Sequence, residues 1–175
     1  AGAYPGASVV VGRKGFSVWQ KGYGRLSSLP ASAPVVPDAS IYDLASLTKA
    51  VATTTAAMIL YDVGKLDLHS PVQQYLPEFA GEGKERVTIE HLLTHRSGLP
   101  PGLQLWKTAR TPAEARAQVL AARLQQPAGQ LFNYSDLGAD VLGFVVERIS
   151  GQSLDDFTAE RYRRNRRSDL AIWWR

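Results

Sequence analysis

The chain contains no cysteine. Disulfides, a thiolate nucleophile and a cysteine-based zinc site are therefore excluded. Histidine is scarce too: His69, His91 and His95 are all there are, without carboxylates at ligand spacing, so neither a metal nor a cofactor is expected. No apolar run approaches the ~20 residues that span a bilayer, and charge or glycine interrupts the longest stretches. No transmembrane segment is expected. A basic leader is missing from the opening AGAYPGASVV. That start suits a mature exported or periplasmic chain as well as a cytoplasmic one. Internal repeats are also lacking.

What is present is the composition of a globular domain: 175 residues, 45% hydrophobic and 21% charged. Such a chain is long enough for one core and unlike a disordered one. The formal net charge of +4 is concentrated at one end. Residues 161–175, RYRRNRRSDLAIWWR, carry six arginines and one aspartate, which leaves the other 160 residues at −1. The division expected is a domain over residues 1–160 and an Arg-rich atypical tail over 161–175. A solvated helix end accounts for the tail, and no nucleic-acid partner is expected.

The order of elements is a hairpin followed by helices. Two strand-like runs, residues 7–12 and 16–22, flank Arg13-Lys14-Gly15, where glycine supplies a positive φ for the turn. The Pro- and Ser-rich stretch SSLPASAPVVPDAS connects this hairpin to a helix expected over Ser46–Val63 and closed at Gly64. Prolines at 71 and 77 allow only short helical turns, and AGEGKERV is expected as loop. TIEHLLTH predicts a short helix capped by Thr88. TPAEARAQVLAARLQQ predicts a longer one, with Thr111 as cap, Pro112 in the first turn and Glu114 closing a capping box. SDLGADVLGFVVERISG starts behind Ser135 or Asp136 and ends at Gly151, and a last helix begins behind Ser153. A lone hairpin is marginal without partners, so the inventory reads as part of an α+β domain with more sheet.

Two features can carry chemistry. Ser46 and Lys49 are three residues apart, which on a helix places them on one face, a turn from each other. A serine hydroxyl is a poor nucleophile until a base takes its proton, and a lysine with a lowered pKa can be that base. The free N–H groups at a helix start stabilise charge on an attacked carbonyl oxygen. By composition alone, roughly one Ser-x-x-Lys falls in about two hundred residues, so this spacing by itself does not exceed a cap followed by a surface lysine. The second feature is FNYSDLG. Tyr134 fits either a buried tyrosine with a partnered hydroxyl or a phenol near Lys49 that shuttles a proton.

Five segments in one order carry more than either feature alone. YPGASVVVGRKG, YDLASLTKAVATTTAAMIL, DVGKLDLHSPVQQYLPEF, VTIEHLLTHRSGLP and FNYSDLGADVLGFVVERISGQSLDDF resemble the serine β-lactamase and D-alanyl-D-alanine carboxypeptidase superfamily. The likeness is nearest the branch of class C β-lactamases and related serine hydrolases and esterases, and it covers residues 4–160. It implies a β-lactamase/transpeptidase-like fold: the N-terminal hairpin of the sheet plus the helical region, with the C-terminal strands missing. It implies that Ser46 attacks an ester, β-lactam or D-alanyl amide carbonyl to form an acyl-serine. Lys49 and Tyr134 would manage the proton, and the Ser46 N–H would supply half of the oxyanion hole. His95 and Ser97 would shape the loop leading to the site.

The chain departs from the family in two places. Asp136 stands where the family usually has asparagine, and its charge is expected to raise the Lys49 pKa. No segment after residue 160 resembles the strand with the Lys-Thr-Gly or His-x-Gly motif, so the chain reads as truncated, with impaired turnover. The alternative reading is a non-catalytic binding or assembly fragment that self-associates through an uncovered sheet edge.

Overall fold

The computed structural model describes residues 3–164, with side chains described as far as Arg161. Most of the Arg-rich tail read from the sequence lies outside the described residues. The described residues fall into two compact units that divide between Ala45 and Ser46.

The first unit is built on an antiparallel hairpin. Strand β1, Gly6–Arg13, pairs with β2, Phe16–Gly24, in the register Val9↔Lys21, Val10↔Gln20 and Val11↔Trp19. Lys14 and Gly15 both take positive φ, 51° and 82°, as the twist of a two-residue hairpin turn requires. A bulge follows Val11. The segment after the hairpin returns along it: Val35 N donates to Gly24 O at 3.1 Å, and Val35 is the buried residue of this unit. Gly22 lies beneath it, and a Cβ there would run into the Val35 carbonyl. Elsewhere the hairpin is open, with Val9, Val10, Val11, Phe16, Val18 and Trp19 all exposed.

The second unit is helical. It opens with a π-helical turn, Lys49–Thr54, that runs into α1, Thr55–Asp62. The regular α-helix expected from Ser46 to Val63 is thus widened over its first half. Thr55 Oγ1 donates back to the Ala50 carbonyl at 3.0 Å, five residues earlier, which holds the wide turn open. Gly64 follows the helix at φ 71°, as expected. Helix α2 is one turn, Val72–Tyr75, and Lys84–Arg86 forms a 3₁₀ turn inside the segment expected to be loop. Its cause is Lys84, a lysine only 2% exposed whose Nζ donates to Leu120 O at 2.6 Å.

Helix α3, Ile89–Leu93, is capped by Thr88 as predicted, but His91 closes the box. His91 N donates to Thr88 Oγ1, and Thr88 N donates to His91 Nδ1. The turn α4, Leu105–Thr108, carries no strong sequence signal. Helix α5, Pro112–Ala121, starts behind Thr111, with Glu114 Oε2 accepting from Arg110 N in place of the expected Thr111 N. It stops earlier than its sequence suggests, because Gln125 N is drawn to the Gly98 carbonyl.

Helix α6, Asp136–Ser150, is the centre of the unit. It packs against the π-helical turn, α1, α2, α3, α5 and the last helix α7, Leu154–Arg164. Its inward face is apolar: Leu137, Val141, Leu142, Val145 and Val146 are buried with Ala56, Leu60, Leu76, Phe79, Ile89 and Leu92, and Phe144 and Ile149 pack partly buried against them. Burial of such side chains stabilises the unit by roughly 1.5–3 kcal/mol each. Among the described residues the hairpin is the only sheet, no helix is long and apolar enough to cross a membrane, and no group of His, Asp and Glu could hold a metal ion.

Candidate active site

Three elements of the helical unit meet at Lys49. The first is the start of the π-helical turn, where Ser46 and Lys49 lie one turn apart. Lys49 Nζ donates to Ser46 Oγ at 3.1 Å, so the spacing read from the sequence is realised as a hydrogen bond. The second is the N-terminus of α6, which brings Tyr134 and Asp136. Lys49 Nζ lies 2.8 Å from Asp136 Oδ1 and 5.2 Å from the centre of the Tyr134 ring. All four residues singled out in the sequence are thus brought together. Tyr134 is not the buried residue that one reading allowed; it is 45% exposed.

The third element is the loop His95–Gly102, which holds the α6 N-terminus in place through a series of backbone bonds. Asn133 N donates to His95 O at 2.8 Å, and Asp136 N donates to Pro101 O at 2.7 Å. Ser135 caps α6 by accepting from Gly138 N, and its hydroxyl donates to Pro100 O at 2.6 Å. The cap position is therefore filled by Ser135, which frees Asp136 to face Lys49. His95 Nδ1 accepts from Ser135 N at 3.2 Å, and its ring lies 4.5 Å from that of Tyr134. Ser97 is buried and accepts from Leu99 N, inside the loop. Both side chains thus accept hydrogen bonds within or beside this loop.

The electrostatics follow from these distances. Burial works to lower the Lys49 pKa, but its hydrogen bonds and charge attraction to Asp136 and Tyr134 outweigh it and hold the ammonium above its ordinary value. The Ser46 hydroxyl and the Lys49 ammonium pull the Tyr134 phenol below its ordinary value. Asp140, one turn beyond Asp136, is pushed up to about 6 by the protein around its carboxyl and by the Asp136 charge, against the opposing Lys49 ammonium. The sequence reading passed over Asp140, although its position four residues after Asp136 on a predicted helix places the two carboxylates together.

The sequence profile of the Beta-lactamase family matches residues 1–173, and the chain belongs to that family. It is 30% identical to an N-acetylmuramyl-L-alanine amidase of Bacillus subtilis (strain 168), over 91% of this chain and 40% of that protein. Among solved structures it is similar to EstCE1, a hydrolase with promiscuous acyltransferase activity. The TM-score is 0.77 and the identity 26%, over 91% of this chain and 46% of that one. It is similar also to a class C beta-lactamase, with TM-score 0.72 and 27% identity, over 87% of this chain and 41% of that one. The chain thus spans less than half the length of these relatives.

Proposed function

We propose that the chain carries the nucleophile and proton-transfer groups of a serine hydrolase acting through an acyl-serine intermediate. The supporting observation is the 3.1 Å hydrogen bond between Lys49 Nζ and Ser46 Oγ with the Tyr134 phenol beside them. In this reading Ser46 Oγ attacks a carbonyl carbon, and its proton passes to the adjacent base. The bond to the leaving group then breaks as that group takes the proton, and water later cleaves the acyl-serine in the same way. The raised Lys49 pKa keeps that residue an ammonium near neutral pH. Tyr134, lowered by the same neighbours, is the better-matched proton acceptor, with Lys49 stabilising its phenolate. The Ser46 N–H contributes one oxyanion donor.

The substrate class is an ester, β-lactam or peptidoglycan-type amide. The relatives support this breadth, since their names include an amidase, a hydrolase with acyltransferase activity and a beta-lactamase. Because the chain covers 40% of its curated relative, covalent labelling is a better readout than turnover. A fluorophosphonate probe is expected to label the 175-residue chain, and Ser46→Ala to abolish labelling. Equal labelling of both proteins overturns the assignment. A chromogenic cephalosporin run beside a short nitrophenyl ester then separates the substrate classes.

One observation favours a second reading, an assembly fragment. The hairpin exposes Val9, Val10, Val11, Phe16, Val18 and Trp19 together, and exposed apolar sheet invites pairing with another chain. Mass in solution tests it: a monomer at all concentrations removes this reading.

A further inference from the structure

We propose that His95 is a positioning residue for Tyr134, holding the phenol beside Ser46 and Lys49 with its ring and its Nδ1 acceptor together. The proposal rests on reading Ser46, Lys49 and Tyr134 as the reacting groups. Tyr134 has no burial to fix it: it is 45% exposed and sits in the short segment between Phe132 and the first turn of α6. Two interactions of one side chain restrain it. The His95 imidazole lies against the phenol ring, with centroids 4.5 Å apart and planes at 35°. Its Nδ1 accepts from the N–H of Ser135, the next residue along, at 3.2 Å. Phe132 also meets the imidazole, with ring centroids 6.0 Å apart and planes at 82°. His95 therefore grips residues on both sides of Asn133, whose own N–H donates to the His95 carbonyl at 2.8 Å.

His95 is itself held in an uncommon conformation. Its φ is 54°, a value that few residues other than glycine adopt, with histidine, asparagine and aspartate among the exceptions. Glycine would relieve any strain, but it offers neither a ring nor an acceptor. A histidine here is thus explained by what its side chain does to Tyr134 more readily than by its backbone.

The acceptor exists only while Nδ1 is unprotonated. The charged and titratable groups facing His95 are Lys49, Asp136 and Tyr134. Burial and the Lys49 ammonium hold the imidazole pKa below its ordinary value, against the Asp136 carboxylate and the Ser135 backbone. The Ser135 bond is therefore intact at neutral pH and lost as pH falls through the lowered His95 value. Tyr134 should lose its placement in the same acid step.

Two variants separate the interactions. His95→Asn tolerates the positive φ and keeps an acceptor but has no ring; His95→Phe keeps the ring and has no acceptor. Tyr134 ionisation is read by ultraviolet difference absorbance, with the same protein carrying Tyr134→Phe as blank. Both variants are expected to move Tyr134 ionisation up toward that of free tyrosine. Fluorophosphonate labelling of Ser46 should slow about tenfold or more, and the acid limb of its pH profile should vanish in His95→Asn. Cooperatively folded variants with unchanged Tyr134 ionisation and labelling overturn the proposal. Should the variants not fold, proton NMR of the native chain decides instead. His95 and Tyr134 resonances must shift with one midpoint, and separate midpoints reject the coupling. If Ser46 takes no label in the native chain, the hydrolase reading fails, while the Tyr134 titration still tests the positioning.

Discussion

Lys49 Nζ is held 2.8 Å from Asp136 Oδ1, closer than its 3.1 Å to Ser46 Oγ. The lysine that the sequence offers as a base is thus tied to a carboxylate that favours its charged form. Replacing that carboxylate by asparagine tests the consequence. In Asp136→Asn, burial continues to lower the Lys49 pKa while its strongest opponent is gone. The Asp136 charge also opposes the lowering of Tyr134. Both candidate bases should lose their protons at lower pH. The labelling profile of Ser46 is expected to move to lower pH. An unmoved profile would mean that neither group limits acylation.

Asp136→Asn also bears on stability. A lysine whose folded pKa is raised stabilises the fold fully below its unfolded value of 10.5, and that contribution fades as pH rises through the folded value. The variant should therefore lose stability near neutral pH and converge with the parent at strongly alkaline pH. Chemical denaturation at both ends of the range measures the difference.

Lys84 supplies an opposite case. Its ammonium is buried against Leu120 O and lies 4.5 Å from the centre of the Phe79 ring. Burial lowers its pKa, so the fold favours the neutral amine. This contribution is fully present above 10.5 and is lost as pH falls through the lowered folded value. Lys84→Met keeps most of the volume and is expected to cost about 1–3 kcal/mol by leaving the Leu120 carbonyl unpaired. Lys84→Ala adds a cavity and should cost about 2–5 kcal/mol. Urea melts of the two variants give the ordering, which fails if Lys84→Ala is the milder change.

Glu147 joins three helices. Its Oε2 accepts from Arg116 Nη1 of α5 at 2.9 Å, and its Oε1 accepts from Leu154 N at the start of α7. Arg116 also lies 4.0 Å above the Phe144 ring. Glu147→Ala removes both bonds, with an expected loss of about 1–3 kcal/mol. Glu147→Gln retains an acceptor for one of them and should lose less. Thermal melts at low and high salt separate the parts, since only the ion pair is screened.

Gly98 shapes the loop that carries His95 and Ser97. Its φ is 80°, and a Cβ would strike the Gln126 carbonyl. Gly98→Ala is expected to cost more than about 1 kcal/mol and to slow labelling of Ser46 together with it, because this loop is bonded to the α6 N-terminus. A stable variant with slower labelling would assign the loop to the site alone; a stable variant with normal labelling would remove Gly98 from both roles.

Much of the fold was legible because its signals are local. Lys14-Gly15 specifies the hairpin turn, while Thr88 and Thr111 each cap the helix their position predicts. What escaped depends on partners distant in sequence. The early end of α5 follows from the Gln125 bond to Gly98 O, and the turn at Lys84 follows from Leu120 O. Neither partner lies within the window that a capping or periodicity rule inspects.

The candidate site divides along the same line. The sequence by itself determined that Ser46 and Lys49 share a face one turn apart, because helical geometry converts a spacing of three residues into proximity. It also determined which five segments carry the family's pattern. Only the tertiary structure decided that Asp136 turns to Lys49 while Ser135 takes the cap, and that His95 lies against Tyr134. A serine and an aspartate side by side at a helix start are equivalent caps to any local rule. Packing of α6 against the π-helical turn and the His95–Gly102 loop breaks that equivalence, by offering the Pro100 carbonyl to one and an ammonium to the other.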